Sequence, residues 1–530
     1  MIDFNQIFSK LPEYNISDFY DKFLILTALC LIIPSLYFLY IKRKNTASLS
    51  KVAPKQTIII HEKNVTNTIT GENSSTKDDE NFDIASCGGF IPYLRRLHAN
   101  QGAHVLSPKL PYPNTISVVD PITVKAILSI GDRPVDLFKF LEPFLGEDNL
   151  QIFDADRAAS FRKLVGPALG HDVIVTKYPS MRDIGVEFIE RWEKLVMNDK
   201  DSVIKMQDEC LEFSLRVVLN AVISIDESTN LDAKSYKKFY DIALSALFDK
   251  QSGLLDTSRE EEFQQAVNYL KSFTVKLINQ RKEKLLLIND AEKTRVKDLF
   301  DILLTENDPY TEKPFTDEAI ISRISGYIMA GYHTTGVAIP YTLLALSQNY
   351  DVQIKLQEEI DQTLEGHLPS LNDLSKMEYL TQVVKESLRV HPPGSFCARL
   401  LKSETALPTM VESKNLTVQA NTSILYPIPL YHENPNFHSQ PEKFDPTRFS
   451  PDKIKDIKPN TYCPFGFGAR ICPGDRIAMV DMKMLVCLIL QKFNVELAMK
   501  LEDIVKEERF VVMAKNDVLI KLVSRGAKNY

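Results

Sequence analysis

The stretch that decides how this chain reads is Pro464-Phe465-Gly466-Phe467-Gly468-Ala469-Arg470-Ile471-Cys472-Pro473-Gly474. Glycine permits positive φ and lets a backbone come close to a flat partner, and here three glycines and two prolines bracket one cysteine. Asp475 to Leu485 then continues with good helix formers and few breakers. Cys472 is therefore expected at or just before a helix N-terminus, where the dipole and free N–H groups favour a thiolate. Arg470 adds positive charge. No Cys or His stands at zinc-ligand spacing from Cys472. A lone thiolate suits an axial haem ligand better than a four-ligand zinc site. The bland alternative is a structural cysteine in a glycine-rich turn.

The surrounding chain is long enough for a large core. Its 530 residues are 44% apolar and 25% charged, an ordinary globular balance. A net charge of -7 carries no basic signature of nucleic-acid binding. The seven cysteines are scattered and form no C-x-x-C, which points to reduced thiols in the cytosol. The histidines show no H-E-x-x-H spacing.

At the N-terminal end, Phe23 to Ile41 is an uncharged run of about 19 residues, close to the length that spans a bilayer. Lys42-Arg43-Lys44 follows it, and acidic residues precede it, so the C-terminal side is expected in the cytosol. The organisation read from this is a lumenal tail at 1–22, an anchor at 23–41, a flexible polar linker at 42–80 and a catalytic domain at 81–530.

Within that domain, Thr316 with Asp317 and Glu318 opens a long helix that runs to Leu346. Its middle reads Ala330-Gly331-Tyr332-His333-Thr334-Thr335. Gly331 costs the helix about 1 kcal/mol against alanine, and its missing side chain is expected to admit a planar group or dioxygen. The tandem threonines are expected to bond back to carbonyls. Glu386 and Arg389 share one helix face at i, i+3. The charges at Glu260 and at Arg281 to Lys284 read as solvated faces, and Trp192 as core.

The filled pattern Phe-Gly-x-Gly-x-Arg-x-Cys-x-Gly resembles the haem-binding signature of the cytochrome P450 family. The resemblance covers roughly 81–530 and implies a mainly α fold with small β-sheets, behind one transmembrane helix. By that resemblance Cys472 is the iron ligand of haem b, Phe465 shields it, and Gly468, Arg470 and Gly474 belong to the cofactor loop. Arg399 and Arg162, with Arg470, neutralise haem propionates; Ala158 fills a position where the family usually has Trp. Thr334 matches the proton-delivering threonine. His333 replaces an acid, and histidine can relay protons near neutral pH. Glu386, Arg389 and Arg448 match a buried ionic triad.

The function implied is a monooxygenase acting on a lipophilic substrate in the endoplasmic reticulum membrane. No flavin module is present, so electrons come from NADPH through a separate NADPH–cytochrome P450 reductase, with cytochrome b5 a further candidate partner. His333 motivates one alternative, an isomerase or dehydratase of the same fold acting on peroxides. A non-enzymatic haem protein is the other.

Overall fold

The computed structural model describes residues 84, 86–106, 110, 114–225, 233–251, 257–287, 296–410, 415–509 and 511–526. The expected tail, anchor and linker lie outside these residues. Among the described residues, no helix is long and apolar enough to cross a membrane.

The architecture is mainly helical. In chain order the helices are α1 (Phe90–Gln101), α2 (Pro121–Ile127), α3 (Glu142–Leu145), α4 (Ala155–Val165), α5 (His171–Asn198), α6 (Met206–Ala221), α7 (Ala233–Gln251), α8 (Thr257–Leu286), α9 (Leu299–Thr305), α10 (Asp317–Gln348), α11 (Tyr350–Leu364), α12 (Leu371–Lys376), α13 (Glu378–Val390), α14 (Ile428–His432) and α15 (Asp475–Lys492). The strands are β1 (His104–Leu106), β2 (Thr115–Val118), β3 (Val203–Lys205), β4 (Phe396–Leu401), β5 (Thr405–Pro408), β6 (Asn415–Val418), β7 (Thr422–Pro427), β8 (Phe493–Leu497), β9 (Lys506–Glu508), β10 (Val512–Ala514) and β11 (Leu519–Ser524).

The long central helix is α10. Thr316 caps it by accepting from the Ala319 amide at 3.2 Å. A helix apolar nearly all round belongs in a core, and Ile324, Ile328, Val337, Ile339, Leu343 and Leu346 are all buried. Its closest neighbour is α6. The glycines of α10 explain the approach: a Cβ on Gly331 would lie 2.5 Å from Val218 Cγ2, and one on Gly336 would lie 2.9 Å from Leu211 Cα. Gly331 is thus a helix-packing residue, which corrects the expectation that its bare side serves a planar group. Trp192 is core as expected, its Nε1 donating to Glu209 at 2.8 Å.

A second core lies under the sheet β1-β2-β7-β4. The β2–β7 pair is parallel, with Ile116 opposite Ile424, and the other pairs are antiparallel. Ile91, Leu94 and Leu97 of α1 pack with Ile116, Val118 and Ile424 of this sheet. The sheet presents Cys397 and Arg399 of β4 opposite Tyr426 and Ile424 of β7. The sheet β3-β11-β8 joins residues 203–205 to the C-terminal strand.

One expected solvated charge is instead buried. Arg281 is 8% exposed and sits 2.9 Å from both Asp298 and Asp301, with Ile223 and Ser224 carbonyls completing its shell. Sequence spacing does not reveal it, because its partners come from other segments.

Candidate active site

The cysteine loop is fixed mostly by its own backbone. The Gly466 amide donates to the Cys463 carbonyl and the Cys472 amide to the Phe465 carbonyl, each at 2.9 Å. Gly466 and Gly468 have φ of 72° and 59°, the left-handed region that glycine tolerates. At Gly468 the space is as strict as the angle: a Cβ there would meet the Leu128 carbonyl oxygen at 2.0 Å. That carbonyl, at the end of α2, accepts from the Ala469 amide at 3.0 Å. Gly474 differs. Its φ is not positive, and a Cβ would make only ordinary contacts, 3.9 Å from Cys472 Sγ.

Cys472 lies just before α15, with Gly474 as its N-cap. Burial pushes its thiol pKa up; the Gly474 amide and the Arg162 charge pull only partly against this. The helix end and Arg470 are expected to favour a thiolate; burial of the sulfur works against them. Desolvation outweighs the dipole here, and a bound cation must complete the ionisation. Phe465 is half-buried against the helical core.

Four arginines converge beside this loop without a carboxylate. Arg399 is 2% exposed and donates to the Phe467 carbonyl at 2.7 Å. Arg470 is 4% exposed and donates to the carbonyls of Leu150, Phe153 and Asp154. Arg162 donates to the Ile471 carbonyl, next to Cys472. The fourth, Arg133, was not legible in the sequence. It donates to Gln151 at 2.7 Å and contacts the Arg470 carbonyl at 3.4 Å. Its loop is clamped in place: the Asp132 carbonyl accepts from the Leu400 amide on β4, and the Asp132 carboxylate accepts from the Ala155 amide. Burial lowers the pKa of Arg133 to about 10 and of Arg470 to about 9, and the neighbouring arginines add to both shifts. None of the four makes an ion pair among the described residues, and Arg162 Nε and Arg399 Nε are buried without partners. Buried cations want counter-charge. A cofactor bearing carboxylates and taking a sulfur ligand fits these residues. Ala158 is buried in the core and supplies no polar contact.

From the other side comes α10. Tyr327 feels the charges of Arg162 and Cys472, and its hydroxyl is buried without a partner. Thr334 Oγ1 donates back to the Ala330 carbonyl at 2.6 Å, the bond expected of a mid-helix threonine. His333 is 3% exposed and packs on Tyr332 and Tyr240. Burial lowers its pKa to about 3, with Lys237 and Arg509 adding to the effect. It therefore stays neutral near pH 7. Nearby, a cavity of about 580 Å³ opens between α3, α7, α8 and α10, lined by Phe144, Tyr240, Leu270 and Ser322 among others.

Glu386, Arg389 and Arg448 meet in the interior. Arg389 Nε is 2.9 Å from Glu386 Oε2, and Arg448 Nε is 3.3 Å from Glu386 Oε1. Arg389 also donates to the carbonyls of His432 and Pro441, and Arg448 to that of Gln440. His432, unmarked by any motif, extends this network to the loop. Its Nε2 accepts from the Cys463 amide at 2.9 Å, so its Nδ1 carries the proton shared with the Arg389 carbonyl at 3.0 Å.

A mainly helical domain that presents one cysteine from a glycine-rich loop, ringed by unpaired arginines, defines a haem-thiolate protein. The sequence model described as Cytochrome P450 matches residues 110–522, so the chain belongs to the cytochrome P450 family. Similar proteins include leukotriene-B4 omega-hydroxylase 3 of Mus musculus, 26% identical over 70% of this chain and 72% of that protein. Lithocholate 6-beta-hydroxylase of Mesocricetus auratus is 28% identical over 69% and 73%, and cytochrome P450 4F12 of Homo sapiens is 26% identical over 76% and 80%. The chain is a cytochrome P450 monooxygenase.

Proposed function

We propose that this enzyme inserts one oxygen atom of dioxygen into a lipophilic organic substrate, with electrons drawn from NADPH through a separate reductase. The observation that carries the reading is the pairing of the Cys472 loop with four arginines, two buried and two half-buried, none of which is ion-paired among the described residues. Leukotriene and lithocholate, named for two relatives, are lipophiles with a carboxylate, and they motivate the substrate class. The cavity of about 580 Å³ is within the range of small-molecule sites. The uncharged run at 23–41 supports a single-pass anchor in the endoplasmic reticulum, with tail 1–22 lumenal, linker 42–80 and domain 81–530 cytosolic. NADPH–cytochrome P450 reductase is the partner that such an anchor favours, with cytochrome b5 as an accessory.

When bound, haem supplies the iron chemistry of dioxygen activation, and a cysteine thiolate on that iron favours O–O cleavage. The chain does the rest. Cys472 would hold the metal, while Arg133, Arg162, Arg399 and Arg470 would hold the carboxylates through charge-assisted hydrogen bonds. Phe465 keeps water from the sulfur. Thr334 keeps its hydroxyl proton on the Ala330 carbonyl until a better acceptor is offered. The triad of Glu386, Arg389 and Arg448 fixes the segment behind the loop rather than adding stability, because desolvating a buried ion network offsets most of its attraction.

Cys472→Ala is expected to abolish the red-shifted absorption of the reduced CO complex; an unchanged band removes Cys472 as ligand. Spectral shifts on titrating sterols, fatty acids and small xenobiotics sort the substrate class. Product that depends on NADPH, reductase and dioxygen supports the reading, and a haem-loaded protein that never consumes reducing equivalents with any of these lipophiles defeats it. A second reading, rearrangement of lipid peroxides, is favoured by a buried neutral His333 where proton transfer is wanted. Turnover of lipid hydroperoxides without reductase would select it.

A further inference from the structure

Two neighbouring side chains of α10 turn toward α7 and meet one carboxylate. The Tyr332 hydroxyl donates to Asp241 Oδ1 at 2.8 Å. His333 Nε2 lies 3.9 Å from the same oxygen. The other oxygen, Asp241 Oδ2, is held by Lys237 at 2.9 Å, and Lys237 reaches on to Asp208 of α6 at 2.6 Å. Exposure changes sharply along this line: the His333 side chain is 4% exposed and that of Asp241 is 40%. Asp241 therefore stands with one side in the interior and the other in water.

The histidine is built for passage rather than for charge storage. Its ring is clamped by Tyr332 at 4.2 Å and Tyr240 at 5.4 Å between centroids. Its Nδ1 is buried with no hydrogen-bond partner among the described residues. The charged groups around it are Lys237 and Asp241 of α7, Asp208 of α6 and Arg509 after β9. A gap of 3.9 Å is too long for a hydrogen bond, and a small rotation of Asp241 or one bridging water closes it.

We propose that Asp241 is the positioning carboxylate through which His333 exchanges protons with solvent. A proton moves from water to Asp241 and on to Nε2 of His333, while Nδ1 releases its own proton to a water that the step requires as acceptor. One proton enters and one leaves; the ring is neutral before and after, and no electrons move. This rests on the reading of Thr334 and His333 as the proton groups of the site.

The test has two arms, both on the full haem-loaded chain. In the first, histidine is labelled with ¹⁵N and observed in the diamagnetic reduced CO complex, His333 being assigned by loss of its signal in His333→Gln. Asp241→Asn is expected to shift the His333 ring nitrogens and Asp241→Glu to restore them. Unmoved nitrogens overturn the proposal, whatever the enzyme turns over. In the second arm, Asp241→Asn is expected to lower product formed per NADPH by as much as about a hundredfold, the low end for loss of a proton-transfer group, with more peroxide released and a larger solvent isotope effect. Asp241→Glu is expected to recover both. Coupling and isotope effect equal to the unaltered enzyme overturn the proposal. His333→Asp sets two carboxylates side by side and is expected to couple poorly until Asp241→Asn is added; good coupling in the single variant also counts against it. An enzyme that turns over no lipophile at all defeats the monooxygenase reading, while the first arm still decides the inference.

Discussion

On the cysteine side of the site, the loop's backbone satisfies itself, and the unpartnered atoms there, Arg162 Nε and Arg399 Nε, belong to the arginines beside it. The loop's amides find carbonyls at Cys463, Phe465, Gly468 and Leu128, and His432 uses both ring nitrogens to join Cys463 to Arg389. On the α10 side the opposite holds. His333 Nδ1 and the hydroxyls of Tyr240, Tyr327 and Ser322 are buried without partners, close to a cavity. A satisfied network is rigid and specifies one geometry, whereas unsatisfied buried groups are costly unless something else completes them. The difference teaches where each kind of work is done. On the proposed function, the cysteine side holds a metal ligand still, and the α10 side receives substrate, water and protons in turn.

The sharpest way to break this contrast is Gly468→Ala. The added methyl meets a backbone carbonyl at 2.0 Å, at a φ of 59° that side chains resist. Neither neighbour has a flexible end that can yield. The expected cost exceeds about 3 kcal/mol, among the large effects reserved for strain and overpacking, and haem should fail to incorporate, read as loss of the reduced CO band. Gly474→Ala is the control: its methyl makes ordinary contacts and its φ is permitted. That variant should fold, and any loss of haem affinity in it would report contact with the cofactor itself. Equal behaviour of the two variants would mean the rigidity of the loop is not set by Leu128.

How much of this was legible beforehand differs between the two sides. The cysteine loop is local in sequence, so its glycines, cysteine and following helix could be read in order, and so could the cap at Thr316 and the paired Glu386 and Arg389. The elements also fell close to expectation: the helix expected from Asp475 onward is α15, and the long one opened by Thr316 is α10. What spacing cannot supply is a partner from far away. Arg133 stands 337 residues from Arg470. Asp241 is 91 residues from Tyr332. Arg281 needs carboxylates from another helix start. The thiolate argument weighed a dipole that sequence shows and omitted a burial that it does not.

A middle-sized effect separates two of the buried histidines, His432 and His333. Burial holds both His432 and His333 near a pKa of about 3, against an ordinary 6.5. The folded state thus refuses a proton that the unfolded chain accepts. Stability from each is fully present above about pH 6.5 and is lost as pH falls toward 3. By linkage each histidine costs about 2 kcal/mol at pH 5 relative to pH 7.5. Thermal melts across that window should show the loss, and replacing either histidine by glutamine should remove its share of the slope. The variants should part company at pH 7.5. His432→Gln disturbs two hydrogen bonds, to Cys463 and Arg389, and should cost about 1–3 kcal/mol. His333→Gln leaves Nδ1 no partner to lose and should cost less. Equal melts at pH 7.5 would erase the distinction between a welded side and an open one.

The smallest effect concerns Gly331, where two readings of one residue compete. If packing alone dictates the glycine, Gly331→Ala gains about 1 kcal/mol of helix propensity and loses about 1–3 kcal/mol by overpacking, because its Cβ comes 2.5 Å from Val218 Cγ2. Valine is stiff at χ1 and has no longer arm to swing aside. The net loss should be modest, and Val218→Ala should abolish it by removing the opposing methyl. Such a pair is non-additive by about 0.5 kcal/mol or more, which paired denaturation curves resolve. A stable Gly331→Ala protein with weakened CO binding would reverse the conclusion: the bare backbone would then serve the ligand side of α10, and the packing against α6 would be its consequence.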